Sequence, residues 1–212
     1  MSPPFPKLKL TYLNIKGRAE SSRLALHIAG IPFEDERIGY ATLVDMKQSY
    51  PFGQVPVLLV NDTIQIAQTH AILRYVGVLG GLYPDTDVQK AALVDQINFH
   101  ISDIMTYAVA SLHEQDADQK PKLCKIFVEE KAPAMLRSLD HVIEQHSGGK
   151  WAVGDSLTIA DLSIYYAVEF LTSGPLSDLL TNISHTYARI FQVHHAVSTH
   201  PKVVQWEAAH SN

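Results

Sequence analysis

Tyr12, Arg18, Pro56 and the Gln68-Thr69 pair are the residues of this chain whose types and placement could bind and activate a small polar molecule. Tyr12 ends an alternating run, KLKLTYL from Lys7 to Leu13, just before a turn from Asn14 to Gly17. A phenol there projects over a sheet edge and can donate one hydrogen bond to a ligand, although a tyrosine at a strand end, taken alone, is more often a packing residue. Arg18 opens the segment after the turn, where a cation opposes the helix dipole, so either water or something more specific holds it. Pro56, ahead of the apolar run Val57 to Val60, reads on local sequence as the trans start of an edge strand. Gln68 and Thr69 precede a helix whose first N–H groups lack partners within it, which suits a carboxylate or an ordinary cap. Cys124 is the only cysteine, which excludes an intrachain disulfide framework, a CxxC redox pair and a thiolate zinc site. Thiol chemistry, if it occurs, is therefore expected to draw its thiol from outside the chain.

The remaining composition removes whole classes of function. A net charge of -5 argues against a nucleic-acid binder, which needs a basic face. With 46% hydrophobic and 18% charged residues but no run of 18 apolar ones, a globular chain without a membrane span is expected. Met1 to Pro6 has neither a basic nor an apolar leader region, so a cytosolic protein is expected. Eleven histidines are present, yet no two stand three or four apart, so no metal site is expected, and His194-His195 reads as solvated or partly packed. There is no Ser-His-acid set or glycine-rich phosphate loop, and Asn182-Ile183-Ser184 is a glycosylation match without a secretory route.

Two kinds of periodicity position these residues. Alternation predicts strands at Lys7 to Leu13, Phe33 to Ile38, Val57 to Val60 and Thr63 to Ala67, the last two joined by a turn at Asn61-Asp62. Helical spacing predicts a helix from Arg18 to Ala29, stopped by Gly30 and Pro32, and another from Thr69; Ala41 to Tyr50 is irregular or weakly helical. This order implies an α/β domain with a mixed sheet over residues 1–82. Beyond Tyr83 the strand signal disappears, and helices are predicted at Val88 to Glu114, Pro121 to His146, Ile159 to Thr172 and Tyr187 to Val197, an all-helical domain over 83–212. Thr158-Ile159-Ala160-Asp161 has the form of a capping box.

The segment TYLNIKGRAESSRLALHIAG, Thr11 to Gly30, resembles the opening of cytosolic glutathione transferases, most closely the sigma class. SYPFGQVP, Ser49 to Pro56, and GKWAVG, Gly149 to Gly154, extend the resemblance over nearly the whole chain, from about Lys7 to Trp206. It implies a thioredoxin-like first domain that binds glutathione, an all-helical second domain and a hydrophobic co-substrate between them, with Leu13, Met105 and Tyr107 as candidate lining. It further implies that Tyr12 hydrogen-bonds the glutathione sulfur and that Arg18 supplies a nearby positive charge. A free thiol has a pKa of about 8.5, so a hydrogen bond and a charge lowering it by about two units, roughly 2.7 kcal/mol, convert it into the nucleophilic thiolate. By the same resemblance Pro56 follows a cis bond, and the Val55 backbone pairs with the cysteinyl unit of glutathione. Gln68 and Thr69 hold the γ-glutamyl end, Thr69 standing where the family has serine. Asp103 reaches across a homodimer to the γ-glutamyl amine, although as a lone helical aspartate it reads as a solvated face. Lys47 matches a position that pairs with the glycyl carboxylate.

Leu43 and Gln54 depart from the family pattern, standing where a tryptophan and a lysine are common, which implies weaker hold on the glycine end. The resemblance implies no tightly bound cofactor, glutathione as co-substrate and hydrophobic electrophiles as the other. Two alternatives stay open at this point: a glutathione-dependent isomerase of the prostaglandin synthase kind, and a non-catalytic binding or structural protein such as some lens crystallins.

Overall fold

The alternation of Leu8, Leu10 and Tyr12 resolves into strand β1, Leu8–Leu13, in a computed structural model that describes residues 5–172, 176 and 186–210. The sheet order is β2-β1-β3-β4, with β2 at Glu34–Ile38, β3 at Val57–Val60 and β4 at Ile64–Ala67. β2 runs parallel to β1, as a connection through a helix requires, and β3 and β4 are antiparallel neighbours. Asn61 at φ +51° and Asp62 at φ +57° supply the two left-handed positions that a tight hairpin between β3 and β4 demands. The same turn is tied to the start of β1, because the Lys7 N–H donates to Asn61 Oδ1 at 2.9 Å.

Helix α1, Glu20–Ala29, ends where Gly30 enters the left-handed region at φ +68° and Ile31 N–H returns to Leu26 C=O at 3.0 Å. Helix α3, Thr69–Leu79, packs beside it. Leu24, Leu26, Ile72, Leu73 and Val76 of these helices are buried with Leu10 and Leu58 of the sheet, forming the core behind the site. The stretch read as weakly helical contains α2, Tyr40–Met46, and a 3₁₀ turn, Lys47–Ser49, neither of which buries a residue.

The helical half contains α4, Val88–His113, capped by the Asp87 side chain, which accepts from Lys90 N–H at 2.9 Å. The single helix predicted from Pro121 to His146 is divided. It comprises α5, Lys120–Ile126, a wider π turn, Phe127–Lys131, and α6, Ala132–His146. Pro133 has no N–H to return to residue 129, and the helix widens in the turn before it. Helix α7, Ile159–Leu171, follows the predicted capping box: the N–H and hydroxyl of Thr158 donate to Asp161 at 2.7 and 2.9 Å. Helix α8 is Ala188–Ser198. The Asn182-Ile183-Ser184 match lies outside the described residues.

Sequence periodicity did not reveal one element, the nine-residue helix α9 at Pro201–Ala209, which Pro201 opens. The described chain forms two compact units, residues 5–85 with 201–210, and residues 86–200. By chain continuity α9 follows the helical half; by packing it belongs with the sheet. Among the described residues no helix is long and apolar enough to cross a membrane.

Candidate active site

β1 brings Tyr12 to its C-terminal end with only 6% of the residue exposed, and the turn after it folds back over the ring. Gly17, at φ +47°, lies against the phenol: a Cβ at this position would stand 2.6 Å from Tyr12 Cε1 and 2.7 Å from the hydroxyl oxygen. Only glycine leaves that space and accepts that backbone conformation. The next residue, Arg18, donates its backbone N–H to the Tyr12 oxygen at 3.1 Å. With one side of the oxygen occupied by this donor, the phenolic proton must point elsewhere, and accepting one hydrogen bond strengthens the one it donates.

Beside this point a cleft is lined by Arg18, Gln54, Val55, Pro56, Gln68 and Thr69, completed by Phe52 and Ala67. The arginine, the loop before β3 and the start of α3, far apart in sequence, therefore meet. The Val55–Pro56 peptide bond is cis, as the SYPFGQVP motif implied, and not the trans start of an edge strand. Gln68 is held at φ +74°, ψ +123°, a backbone state that costs about 1–3 kcal/mol and persists where surroundings enforce it, often at functional sites. Its side chain makes no cap hydrogen bond to α3, so the reading of Gln68 as an ordinary cap fails.

The other expected residues stand in different relations to the cleft. Tyr12 is behind its lining, linked to it through the Arg18 N–H. Lys47 is exposed in the 3₁₀ turn after α2, and its stem lies over Gly53, where a Cβ would come within 3.1 Å of Lys47 Cγ. Leu43 is half-buried on α2, and neither it nor Lys47 lines the cleft; Asp103 is exposed on α4 in the other unit. Met105 is buried and Tyr107 exposed. Gly17 and Phe52 were not singled out from sequence. A glycine between two basic residues in a turn carries no period, and Phe52 is recognisable only as an apolar residue 64% exposed beside the cleft.

Behind the site, the Thr11 hydroxyl donates to Glu36 at 2.6 Å and Lys9 pairs with the same carboxylate at 3.0 Å. The Thr11 hydroxyl, with Lys9, holds the Glu36 carboxyl below its usual range against the opposing effect of burial. Hydrogen bonding to Glu36 likewise raises Lys9. Lys9 is thus committed to the sheet, whereas Arg18 brings its charge to the cleft. Among the described residues no group of three histidine, cysteine or acidic side chains is arranged to hold a metal ion.

The family model described as Glutathione S-transferase, N-terminal domain, matches residues 8–77, and that described as Glutathione S-transferase, C-terminal domain, matches residues 102–210. The chain is 35% identical over 201 residues to a hematopoietic prostaglandin D synthase of Gallus gallus, covering 95% of both. It is 32% identical over 174 residues to Glutathione S-transferase 3 of Caenorhabditis elegans, covering 81% of this chain and 83% of the relative. The solved structure of rat hPGDS complexed with a quinoline superposes with a TM-score of 0.84 at 26% identity, covering 96% of this chain and 97% of the other. With a four-stranded mixed sheet of thioredoxin-like form followed by helices, the chain belongs to the glutathione S-transferase family.

Proposed function

We propose that this protein is a glutathione transferase of the tyrosine type, most like the sigma class, acting as a cytosolic homodimer on hydrophobic electrophiles. The observation that carries the reading is the Tyr12 oxygen, which accepts the Arg18 N–H at 3.1 Å beside a cleft that Arg18 itself lines. In this reading the phenol donates its proton in a hydrogen bond to the glutathione sulfur, and the Arg18 charge adds to the stabilisation of the thiolate. Both effects favour the charged form and so lower the thiol pKa. The backbone of Val55 pairs with the cysteinyl unit, and Gln68 with the uncapped start of α3 receives the γ-glutamyl carboxylate. Lys47 takes the glycyl carboxylate, with Leu43 and Gln54 contributing apolar and uncharged contact there. Asp103 of a second subunit completes the site at the γ-glutamyl amine.

The thiolate then attacks an electrophilic carbon, forming a carbon–sulfur bond and expelling a leaving group, or adding across an activated alkene with proton uptake. The test is conjugation of glutathione to a panel of aryl halides and reactive alkenals. Turnover dependent on Tyr12 supports the reading; clear glutathione binding with no turnover on any substrate favours a binding protein. One observation favours a second reading: a relative at 35% identity carries the name hematopoietic prostaglandin D synthase. A prostaglandin endoperoxide belongs in the same panel, since an isomerase uses the same thiolate.

A further inference from the structure

Arg23 is fully buried on α1, yet it carries a charge that no apolar core tolerates without partners. It has four: Nε donates to Asp35 at 2.9 Å, and Nη1 to Glu20 at 3.1 Å and to the carbonyls of Ile15 and Lys16, each at 2.9 Å. Those two carbonyls belong to the turn that ends in Gly17 and Arg18, the residues packed on and bonded to the Tyr12 phenol. The guanidinium carbon also lies 5.7 Å from the centre of the Tyr12 ring, and Nη2 has no hydrogen-bond partner among the described residues. Arg23 thus holds the turn from behind while facing the ring that the turn covers.

The chain of contacts continues outward. Glu20, 2% exposed, presents one oxygen to Arg23 and the other to the indole N–H of Trp206 at 2.7 Å. Trp206 sits on α9, stacked on His210 and Phe33, and the neighbouring Glu207 pairs with Lys16 of the same turn. A nine-residue helix therefore grips one turn twice, through the buried Trp206–Glu20–Arg23 line and through the Lys16–Glu207 pair.

We infer that Trp206 is a positioning residue for Tyr12: through Glu20 and Arg23 it fixes the turn that brings the Arg18 N–H onto the phenol oxygen. The inference rests on the proposed role of Tyr12 as hydrogen-bond donor to the glutathione sulfur. Without the indole N–H, Glu20 keeps a buried oxygen unsatisfied and draws on Arg23 instead, which loosens the hold on the Ile15 and Lys16 carbonyls.

Trp206→Phe removes the indole donor together with part of the buried ring, so its effect is read against the Tyr12→Phe background, which separates the link to the phenol from lost packing. Titrating the ultraviolet absorbance of enzyme-bound thiolate against pH, we expect a midpoint raised by about half a unit over wild type, because one of the groups aligning the phenol is lost. Glutathione affinity measured at low pH, where the thiol is protonated in both, changes by less than about twofold. Hydrogen exchange of the Arg18 amide in the ligand-free protein accelerates by about tenfold. In a Tyr12→Phe background the further substitution adds no shift. A wild-type midpoint in Trp206→Phe overturns the inference, as does a shift of equal size with and without the Tyr12 hydroxyl. If Tyr12→Phe itself titrates as wild type, the role of Tyr12 fails. The Arg18 amide then decides the structural link alone, unchanged exchange overturning it. Should Trp206→Phe not fold, Glu207→Gln loosens the same helix at its half-exposed contact, and a smaller shift in the same direction is expected; no shift there overturns the inference.

Discussion

The oxygen of Tyr12 has room for one acceptor bond and one donor bond, and the Arg18 N–H occupies the first. Substituting Tyr12 by Phe removes both, leaving the Arg18 N–H without its acceptor, while the ring remains in its buried slot against Gly17. We expect wild-type folding, near-normal glutathione affinity and a bound-thiol midpoint raised by about one unit, which lowers the thiolate population about tenfold below that midpoint. Ultraviolet titration of the complex measures this, and an unchanged midpoint would transfer the role to Arg18 or to a backbone donor. Gly17 tests the same oxygen from the other side. Gly17→Ala places a methyl 2.6 Å from the Tyr12 ring in a backbone state at φ +47° that alanine disfavours, so either the turn or the phenol must move. A loss of about 1–3 kcal/mol in urea unfolding and a fall in turnover are expected together. An alanine variant with wild-type stability and rate would show that the turn yields freely and that its position does not matter to the phenol.

Among the elements, α7 has the clearest dependence on a single residue. Asp161 is fully buried and accepts from the N–H of Ala152 at 2.7 Å as well as from the N–H and hydroxyl of Thr158, so it joins the GKWAVG loop to the helix start. Burial pushes its carboxyl up to about 6, against the opposing pull of the Ala152 and Thr158 donors. A raised carboxyl binds its proton more tightly in the folded than in the unfolded chain, so this group's contribution is full at about pH 4 and diminishes as pH rises through 6, by about 2–3 kcal/mol. Asp161→Asn lacks that titration and leaves an amide facing the donors of Thr158, at a cost of about 1–3 kcal/mol. The stability gap between wild type and variant should therefore be widest near pH 4 and narrower at pH 7. A gap that widens with pH would mean that the three donors outweigh burial. Elements whose residues obey one period were legible beforehand: β1 from Leu8, Leu10 and Tyr12, the hairpin from Asn61-Asp62, α7 from its capping box. The π turn was not, because Phe127 to Lys131 keeps a helical pattern and only Pro133 hints at the missing bond. Nor was α9, too short for its period to stand out. Among the residues lining the cleft, motif resemblance pointed to Arg18, Gln54, Val55, Pro56, Gln68 and Thr69. It could not reveal that Gly17 touches the phenol or that the buried Arg23 holds the turn, since both depend on contacts between segments and not on any local pattern.

For the whole molecule, the cleft lies within one unit and Asp103 is exposed on α4 of the other, and the part proposed for Asp103 is to complete the glutathione site of a second subunit. If an acid from one subunit completes the site of its partner, glutathione binding and dimerisation are thermodynamically linked, and affinity falls on dilution into monomer. Asp103→Asn keeps the size of the side chain and removes the charge that attracts the γ-glutamyl ammonium, for an expected loss of about 1–2 kcal/mol in glutathione binding. The rate at saturating glutathione changes less, because Tyr12 and Arg18 still act on the sulfur. Mixed dimers separate action across the interface from action within a subunit. Pairing an Asp103→Asn subunit with a Tyr12→Phe subunit, and assaying at sub-saturating glutathione, places both lesions in one site if Asp103 acts on its partner. The other site then has an intact Tyr12 and receives an intact Asp103, so the heterodimer retains about half of wild-type activity. If Asp103 serves its own subunit, each site carries one lesion and the heterodimer falls to the mean of the two parent variants, an outcome that would remove Asp103 from the shared site.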